Sequence, residues 1–137
     1  MNKMSKKTEY GLMSLKYLKE LQGNASANVI SAKDLAEKTH APFEVIARVL
    51  QALSSRGILK AEYGSEGGYV LVKNLKDISI YELMTILESS TELTQCLTAE
   101  TSCDLSQHCN IISPVTNLNL RIQKFYKSIS VDEVLHV

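Results

Sequence analysis

Apolar positions recur at helical spacing through the first half of the chain and predict three consecutive helices. The first is predicted over residues 8–21, where apolar residues stand three and four positions apart. Ser31 is a suitable cap for a short second helix, which ends near Pro42 because proline disfavours helix at the residue before it. Pro42 suits the first turn of the third helix, and Gly57 is typical of the residue that closes one. Two such helices joined by a tight turn form a helix-turn-helix.

The pattern changes to short strands directly after the third helix. Residues 58–63 and 69–72 predict two strands, and the glycine-rich segment 64–68 between them predicts a turn. A helix-turn-helix followed at once by a β-hairpin is a winged helix. Ser79 and Glu82 then form a capping-box pattern at the start of a fourth helix.

The last part of the chain contains a long amphipathic helix. Ser113 and Pro114 suit its start, and apolar residues follow at spacings of three and four, namely Val115, Leu118, Ile122, Phe125, Tyr126 and Ile129. A further capping box at residues 130–133 opens a short final helix. Since the long helix follows a complete small domain, we interpret it as a dimer interface; the alternative is that it covers its own core.

These elements predict a mainly α fold with a small β-hairpin wing, a winged helix-turn-helix plus a long dimerisation helix. We expect a winged helix-turn-helix, DNA-binding domain over residues 1–88 and a cysteine-containing loop over residues 89–112. The dimerisation helix and the C-terminal helix then occupy residues 113–137.

Composition adds a division of charge between the two halves of the chain. The 137 residues have a formal net charge of zero, which taken alone argues against a nucleic-acid partner. Residues 1–60 nevertheless carry 10 basic against 5 acidic side chains, a balance of +5, and the remainder carries 5 against 10. Such asymmetry indicates that the first half meets a polyanion. Without an apolar run that fits a secretory signal or a membrane span, we expect a cytoplasmic protein.

The predicted DNA contacts lie on the third helix, around it and on the wing. The third helix turns Glu44, Ala47, Arg48 and Gln51 outward, and Arg and Glu side chains can pair with base edges in the major groove. We expect phosphate contacts from Lys33, Arg56, Lys6 and Lys7. The wing residues expected at the DNA are Gly64, Ser65, Gly67 and Gly68, whose glycines permit close approach. The alternative for this domain is a protein-interaction module, and Glu66 at the wing tip is unfavourable near phosphate.

Three cysteines, Cys96, Cys103 and Cys109, lie within 14 positions. An odd number without a secretory signal argues against a disulfide framework. Three interpretations stay open: ordinary cysteines, a zinc site and an iron–sulfur cluster. Zinc sites usually show closely spaced cysteine pairs, which are absent here, whereas thiolates in a loop suit an iron–sulfur cluster. Asp104 and His108 lie nearby, and three cysteines do not distinguish a [4Fe-4S] from a [2Fe-2S] cluster.

Together these motifs resemble the Rrf2 family of bacterial winged-helix regulators, and in particular its iron–sulfur members of the IscR and NsrR types. The resemblance spans nearly the whole chain. It rests on residues 5–12, 57–59, 64–71 and 129–135 and on the three-cysteine loop. It implies a cytoplasmic homodimer that binds double-stranded, palindromic promoter DNA, and whose long helix crosses to the partner subunit.

The same resemblance implies a ligand set. Cys96, Cys103 and Cys109 correspond to the iron ligands of the cluster-binding members. The IscR type adds a histidine three positions after the last cysteine, where this chain has Ile112. The NsrR type takes a carboxylate from the first helix of the other subunit, which corresponds to Glu9; His108 and Asp104 are local alternatives. The chain also departs from the family at Tyr63, where arginine is frequent at the base of the wing.

From these observations we expect a dimeric transcription regulator, such as a repressor, controlled by an iron–sulfur cluster that senses nitric oxide, redox state or iron–sulfur supply. The alternative is a cluster-free member of the same family, controlled by a protein partner or by oxidation of its thiols. An enzyme is not expected. A cysteine nucleophile needs a base and an orienting group in space, and only His108 stands beside Cys109.

Overall fold

The computed structural model describes residues 4–23, 28–88, 91–92 and 107–136. Within these ranges the chain is mainly helical and has one antiparallel hairpin, which confirms the predicted fold class. The elements are, in chain order, α1 (Lys6–Gln22), α2 (Ala32–Thr39), α3 (Phe43–Ser55), β1 (Leu59–Glu62), β2 (Gly68–Leu71), a 3₁₀ turn (Leu75–Asp77), α4 (Ile80–Leu87), α5 (Ile112–Ser128) and α6 (Val131–Leu135).

Serine side chains start four of the helices. Ser5, Ser31, Ser79 and Ser130 are extended, and the hydroxyl of each accepts a hydrogen bond from the backbone N–H three residues later. At Ser130 the reciprocal bond from its own N–H to the Glu133 carboxylate completes the capping box. These caps fix where the chain turns into helix.

The hairpin pairs Leu59 with Leu71 and Glu62 with Gly68. A third segment joins it, because Ile30 and Tyr69 exchange backbone hydrogen bonds of 3.1 and 2.8 Å. This bridge attaches the segment before α2 to the wing, so the helix-turn-helix and the wing are held as one unit. The sequence pattern does not predict it.

The core lies between α1, α3, α4 and the base of the hairpin. Its fully buried side chains are aliphatic and include Leu15, Leu18, Ile46, Leu50, Leu53, Ile58 and Leu83. The C-terminal α6 returns to this core: Ser79 forms a bridge with Ser130, and Val131 is fully buried. The Asp132 carboxylate also accepts a hydrogen bond from Lys19 Nζ, which ties α6 to α1.

The long α5 has its polar side turned inward. Its buried residues are Asn119 and Gln123, whose side-chain amides donate to the Glu92 carboxylate, and the Gln123 bond measures 3.2 Å. On another side Leu118 and Phe125 are 51% and 60% exposed, and Ile111 just before the helix is 56% exposed. Of the apolar stripe predicted from the sequence, Leu118 and Phe125 are therefore open to solvent, whereas Tyr126 and Ile129 pack against the core.

Candidate DNA-binding surface and metal centre

The third helix separates its side chains into an apolar side and a polar side. Ile46, Val49, Leu50 and Leu53 are buried against the core. Glu44, Arg48 and Gln51 are exposed, and their spacing of three and four places them on one face of the helix. Ala47 is half-buried at the edge of that face. The polar row is what a helix needs in order to present hydrogen-bonding groups to base edges.

The turn between α2 and α3 is short and well defined. His40 ends α2 in the left-handed conformation, with φ of 55°, and Pro42 is the N-cap of α3. Pro42 thus stands one position before the helix, whereas the sequence places it in the first turn. Lys33 lies exposed in the first turn of α2, and Arg56 lies exposed just after α3. Lys33 and Arg56, two of the four predicted phosphate contacts, are therefore accessible to solvent.

The wing carries little free positive charge. Lys60 Nζ lies 3.6 Å from Glu62 Oε1, and Glu66 is exposed in the turn. Tyr63, which follows β1, is 94% exposed. Its phenol offers a hydrogen bond without a charge.

Gly68 is needed by the fold of the wing itself. A Cβ at this position would collide with the backbone of Ile30, so the bridge between Ile30 and Tyr69 requires glycine here. Gly67 is similarly enclosed by the carbonyl of Glu62. Gly64 differs, since its φ is +117° and a Cβ would meet nothing within 4 Å. Of the three, only Gly64 has open space beside it, and neighbouring Ser65 is exposed.

The start of α1 brings the predicted basic residues close to the predicted carboxylate ligand. Lys6 and Lys7 are exposed, and Lys6 Nζ lies 2.8 Å from Glu9 Oε2. The hydrogen bond to Glu9 raises the pKa of Lys6 above its ordinary value. The Glu9 side chain stays 43% exposed, so its carboxylate is accessible from outside the chain.

A second carboxylate anchors the same end of α1. The backbone N–H of Ser5 donates to Glu88 Oε1 at 2.8 Å, which joins the start of α1 to the end of α4. The other oxygen, Glu88 Oε2, is buried without a hydrogen-bond partner among the described residues. Because residue 88 is the last before the predicted cysteine loop, this bond links that loop to α1.

The predicted thiol ligands are only partly described. Cys109 is half-buried, is not in a disulfide and stands three residues before α5, and His108 beside it is exposed. Cys96, Cys103 and Asp104 lie outside the described residues. Within the described part of the chain, no three histidine, cysteine or carboxylate side chains gather into a group able to hold a metal ion. A free thiol is the type of ligand that iron–sulfur clusters take, so Cys109 fits that chemistry.

One exposed side chain at the DNA-facing end of α3 is missing from the predicted set. Phe43, the first residue of the helix, is 54% exposed. The sequence prediction does not include it, because it stands before the first residue of the predicted apolar stripe, Val45. The signal that identifies it is its position before the first buried residue of the helix, Ile46.

A capped helix-turn-helix with an exposed polar row, followed by a wing, defines a winged-helix, DNA-binding transcription regulator. The sequence model of the family described as "Rrf2: Iron-dependent Transcriptional regulator" matches residues 4–137. The chain belongs to the Rrf2 family, as the sequence motifs predict.

Similar proteins include regulators with different names. IscR of Pectobacterium atrosepticum is 25% identical over 103 residues, which cover 75% of this chain and 62% of that relative, so the chain spans less than two thirds of its length. The structure of T. potens IscR has a TM-score of 0.66 at 21% identity and covers 98% of this chain and 87% of its own. The structure of CymR (YrzC), the global cysteine regulator of B. subtilis, has a TM-score of 0.67 at 20% identity. The match covers 99% of this chain and 98% of the CymR chain. At these identities the two structures show a shared fold.

None of the helices in the described ranges is long and apolar enough to cross a bilayer.

Proposed function

We propose that this protein is a cytoplasmic, homodimeric transcription regulator whose affinity for promoter DNA is controlled by an iron–sulfur cluster. The cluster ligands are Cys96, Cys103 and Cys109 together with Glu9 of the partner subunit. Residues 1–88 bind DNA, residues 89–112 hold the cluster and residues 113–137 form the dimer. The observation that carries the proposal is the joining of a DNA-reading helix to a three-cysteine loop in one Rrf2-family chain.

The exposed polar row of α3 supports DNA binding by this face. In a winged helix the second helix of the helix-turn-helix lies in the major groove, and its first turns reach the base edges. Arg48 can pair with guanine, and Glu44 can accept from cytosine. Lys33 in the first turn of α2 and Arg56 just after α3 are both exposed, and such cations neutralise phosphates and fix the position of the helix.

The apolar seam of α5 supports a dimer of two such chains. Ile111, Leu118 and Phe125 are spaced by seven residues, and Val115, Ile122 and Ile129 fall between and after them in the a and d pattern of a coiled coil. The first three are more than half exposed, which is costly for large apolar side chains in water. Pairing with the same seam of a second chain removes them from water and places two α3 helices on one duplex.

The proposed control acts through α1. This helix packs against both α3 and α4, and the Ser5–Glu88 hydrogen bond holds its first turn to the end of α4. Glu9 lies in that first turn. A ligand bond from Glu9 to a cluster held by the partner subunit's loop would therefore fix the angle between the two DNA-binding domains. When bound, the cluster supplies a reactive iron position at which a small molecule can attack. A Glu9 carboxylate that is not a ligand would instead keep its ion pair with Lys6, and the spacing of the two α3 helices would then differ.

The first test is the iron content and absorption spectrum of protein purified without oxygen. We expect iron and sulfide in the wild-type protein and their loss in Cys109→Ser. Glu9→Ala should lose the cluster faster, whereas Glu20→Ala, a change of the same type at an exposed position of α1, should behave as wild type. Iron-free wild-type protein would contradict cluster binding. Identical cluster lifetimes for the two glutamate variants would reject Glu9 as a ligand and leave cluster binding by the cysteines untouched.

The similarity to CymR, named as a cysteine regulator, favours one second candidate. In that case the protein is a cluster-free regulator controlled by a protein partner or by oxidation of its cysteines. The same purification separates the two candidates, because a cluster-free regulator contains no iron and its DNA affinity responds to a thiol oxidant such as peroxide. The DNA for these assays is the duplex that the protein recovers from a random-sequence library, called the selected duplex below.

A further inference from the structure

A shallow, partly apolar groove runs between α2 and the start of α3. Phe43 forms one side of it and is more than half exposed. The groove is lined by Lys33, Ala36, Glu37, His40, Ala41 and Phe43. A large aromatic side chain left open at the entrance of a DNA-reading helix stays in contact with water in the unbound protein, and contact with an apolar group of a ligand would recover the free energy of burying it.

Phe43 continues into a short apolar edge along α3. Ala47 stands four residues later and therefore on the same side of the helix, one turn further. The polar row of Glu44, Arg48 and Gln51 runs beside this edge. A helix placed in the major groove with its polar row on the base edges therefore also brings the apolar edge against the bases.

The major groove offers one apolar group to such an edge, the C5-methyl group of thymine. Phenylalanine and alanine side chains contact this methyl group in protein–DNA complexes, and the contact separates thymine from cytosine. Lys33 lines the same groove and is exposed, so its ammonium group can bind a phosphate of the DNA strand that Phe43 contacts. Glu37 on this surface is unfavourable next to phosphate, so the apolar part of the groove suits a base better than the backbone of DNA.

We infer that Phe43 is a specificity-determining residue, which reads the methyl group of one thymine in each half-site of the operator. This inference rests on the proposal that α3 enters the major groove. It adds a thymine preference, at one position, to the hydrogen-bonding contacts of the polar row.

The test replaces thymine by deoxyuridine in the selected duplex, one symmetric pair of positions at a time. This change removes only the methyl group and leaves every hydrogen-bonding group in place. At one position we expect wild-type binding to weaken about fourfold for each methyl group removed, the effect of exposing one methyl-sized apolar group to water. Phe43→Ala should bind the thymine duplex more weakly and lose this sensitivity, while Phe43→Leu should retain part of it.

Tyr63→Ala is the matched control, because it removes the exposed aromatic ring of the wing and should keep the wild-type sensitivity to deoxyuridine. Thermal unfolding midpoints confirm that each variant is folded. If Phe43→Ala and wild type show the same response at every position, or if selection returns half-sites without thymine, the inference is overturned. If Arg48→Ala binds the selected duplex like wild type, α3 does not read DNA and the proposed function itself fails at that step.

Discussion

The helices α3 and α5 are both amphipathic, but they turn opposite sides toward their own chain. Helix α3 buries four aliphatic residues and exposes Glu44, Arg48 and Gln51. Helix α5 buries Asn119 and Gln123 against Glu92 and exposes Leu118 and Phe125. The exposed side indicates the kind of partner that each helix is proposed to bind: the polar row of α3 suits the base edges of DNA, and the apolar seam of α5 suits a second apolar seam.

The largest expected effect comes from a substitution that disrupts the apolar seam of α5. Leu118→Asp places a carboxylate in the proposed dimer contact, so the protein should become monomeric in analytical ultracentrifugation. Its affinity for the selected duplex should fall by about a hundredfold or more, because the two half-sites are then bound independently. Asn117→Asp is the control, since it adds the same charge at the neighbouring exposed position outside the a and d pattern. A dimeric Leu118→Asp protein would show that α5 exposes its apolar side for another reason.

The next largest effect is expected from a substitution that removes a proposed base contact of α3. Arg48→Ala should weaken binding to the selected duplex about tenfold for each half-site, the usual range for a bidentate arginine–guanine pair. The oligomeric state should not change. Arg121→Ala, which removes an exposed arginine from α5, is the matched control and should bind DNA as wild type does. Equal losses in the two variants would indicate general electrostatic attraction rather than a contact made by α3.

A smaller effect concerns the inward side of α5. Asn119→Asp replaces a donor to Glu92 with a second carboxylate, so the variant loses a hydrogen bond to a charged group. We expect a loss of about 2 kcal/mol in the free energy of unfolding, measured by urea denaturation. Asn117→Asp again serves as the control and should unfold close to wild type. Equal stabilities would show that the contact between Asn119 and Glu92 does not stabilise the fold.

The smallest effect is the pH dependence of the link between α1 and α6. The hydrogen bond from Lys19 and the attraction of its charge lower the pKa of Asp132 below its ordinary value of 3.8. The stability from this pair is therefore complete above the ordinary pKa and is lost as the pH falls through the lowered one. Asp132→Asn should unfold at a lower temperature at neutral pH and show a smaller decrease below about pH 4. Asp77→Asn, at an exposed position, should keep the wild-type pH profile.

Much of the fold follows from local sequence signals. The serine caps, the apolar spacing in α3 and α4 and the glycine-rich turn all act within a few residues, so the pattern predicts the elements in their correct order. The bridges from Ile30 to Tyr69 and from Ser79 to Ser130 were not predicted, because residues far apart in sequence form them. Local periodicity contains no information about such pairs.

The candidate site was less predictable for a related reason. Periodicity identifies two sides of α5 but does not say which side meets the rest of the chain, and the burial of Asn119 and Gln123 is seen only in three dimensions. Gly68 was assigned to the DNA surface by its place in the wing, yet the backbone of Ile30 is the group it accommodates. The role of Glu9 depends on a contact between subunits, which no pattern within one chain contains.

The most direct test is a DNA-binding titration of one anaerobic preparation before and after removal of its cluster. Fluorescence anisotropy with the selected duplex gives both dissociation constants, and Cys109→Ser provides the cluster-free reference. We predict a difference of about tenfold or more between the two wild-type forms, within the usual range of coupling between a ligand site and a distant site. The cluster-free wild type should match Cys109→Ser. Iron-loaded and iron-free protein that bind the selected duplex with the same affinity would contradict cluster control of DNA binding.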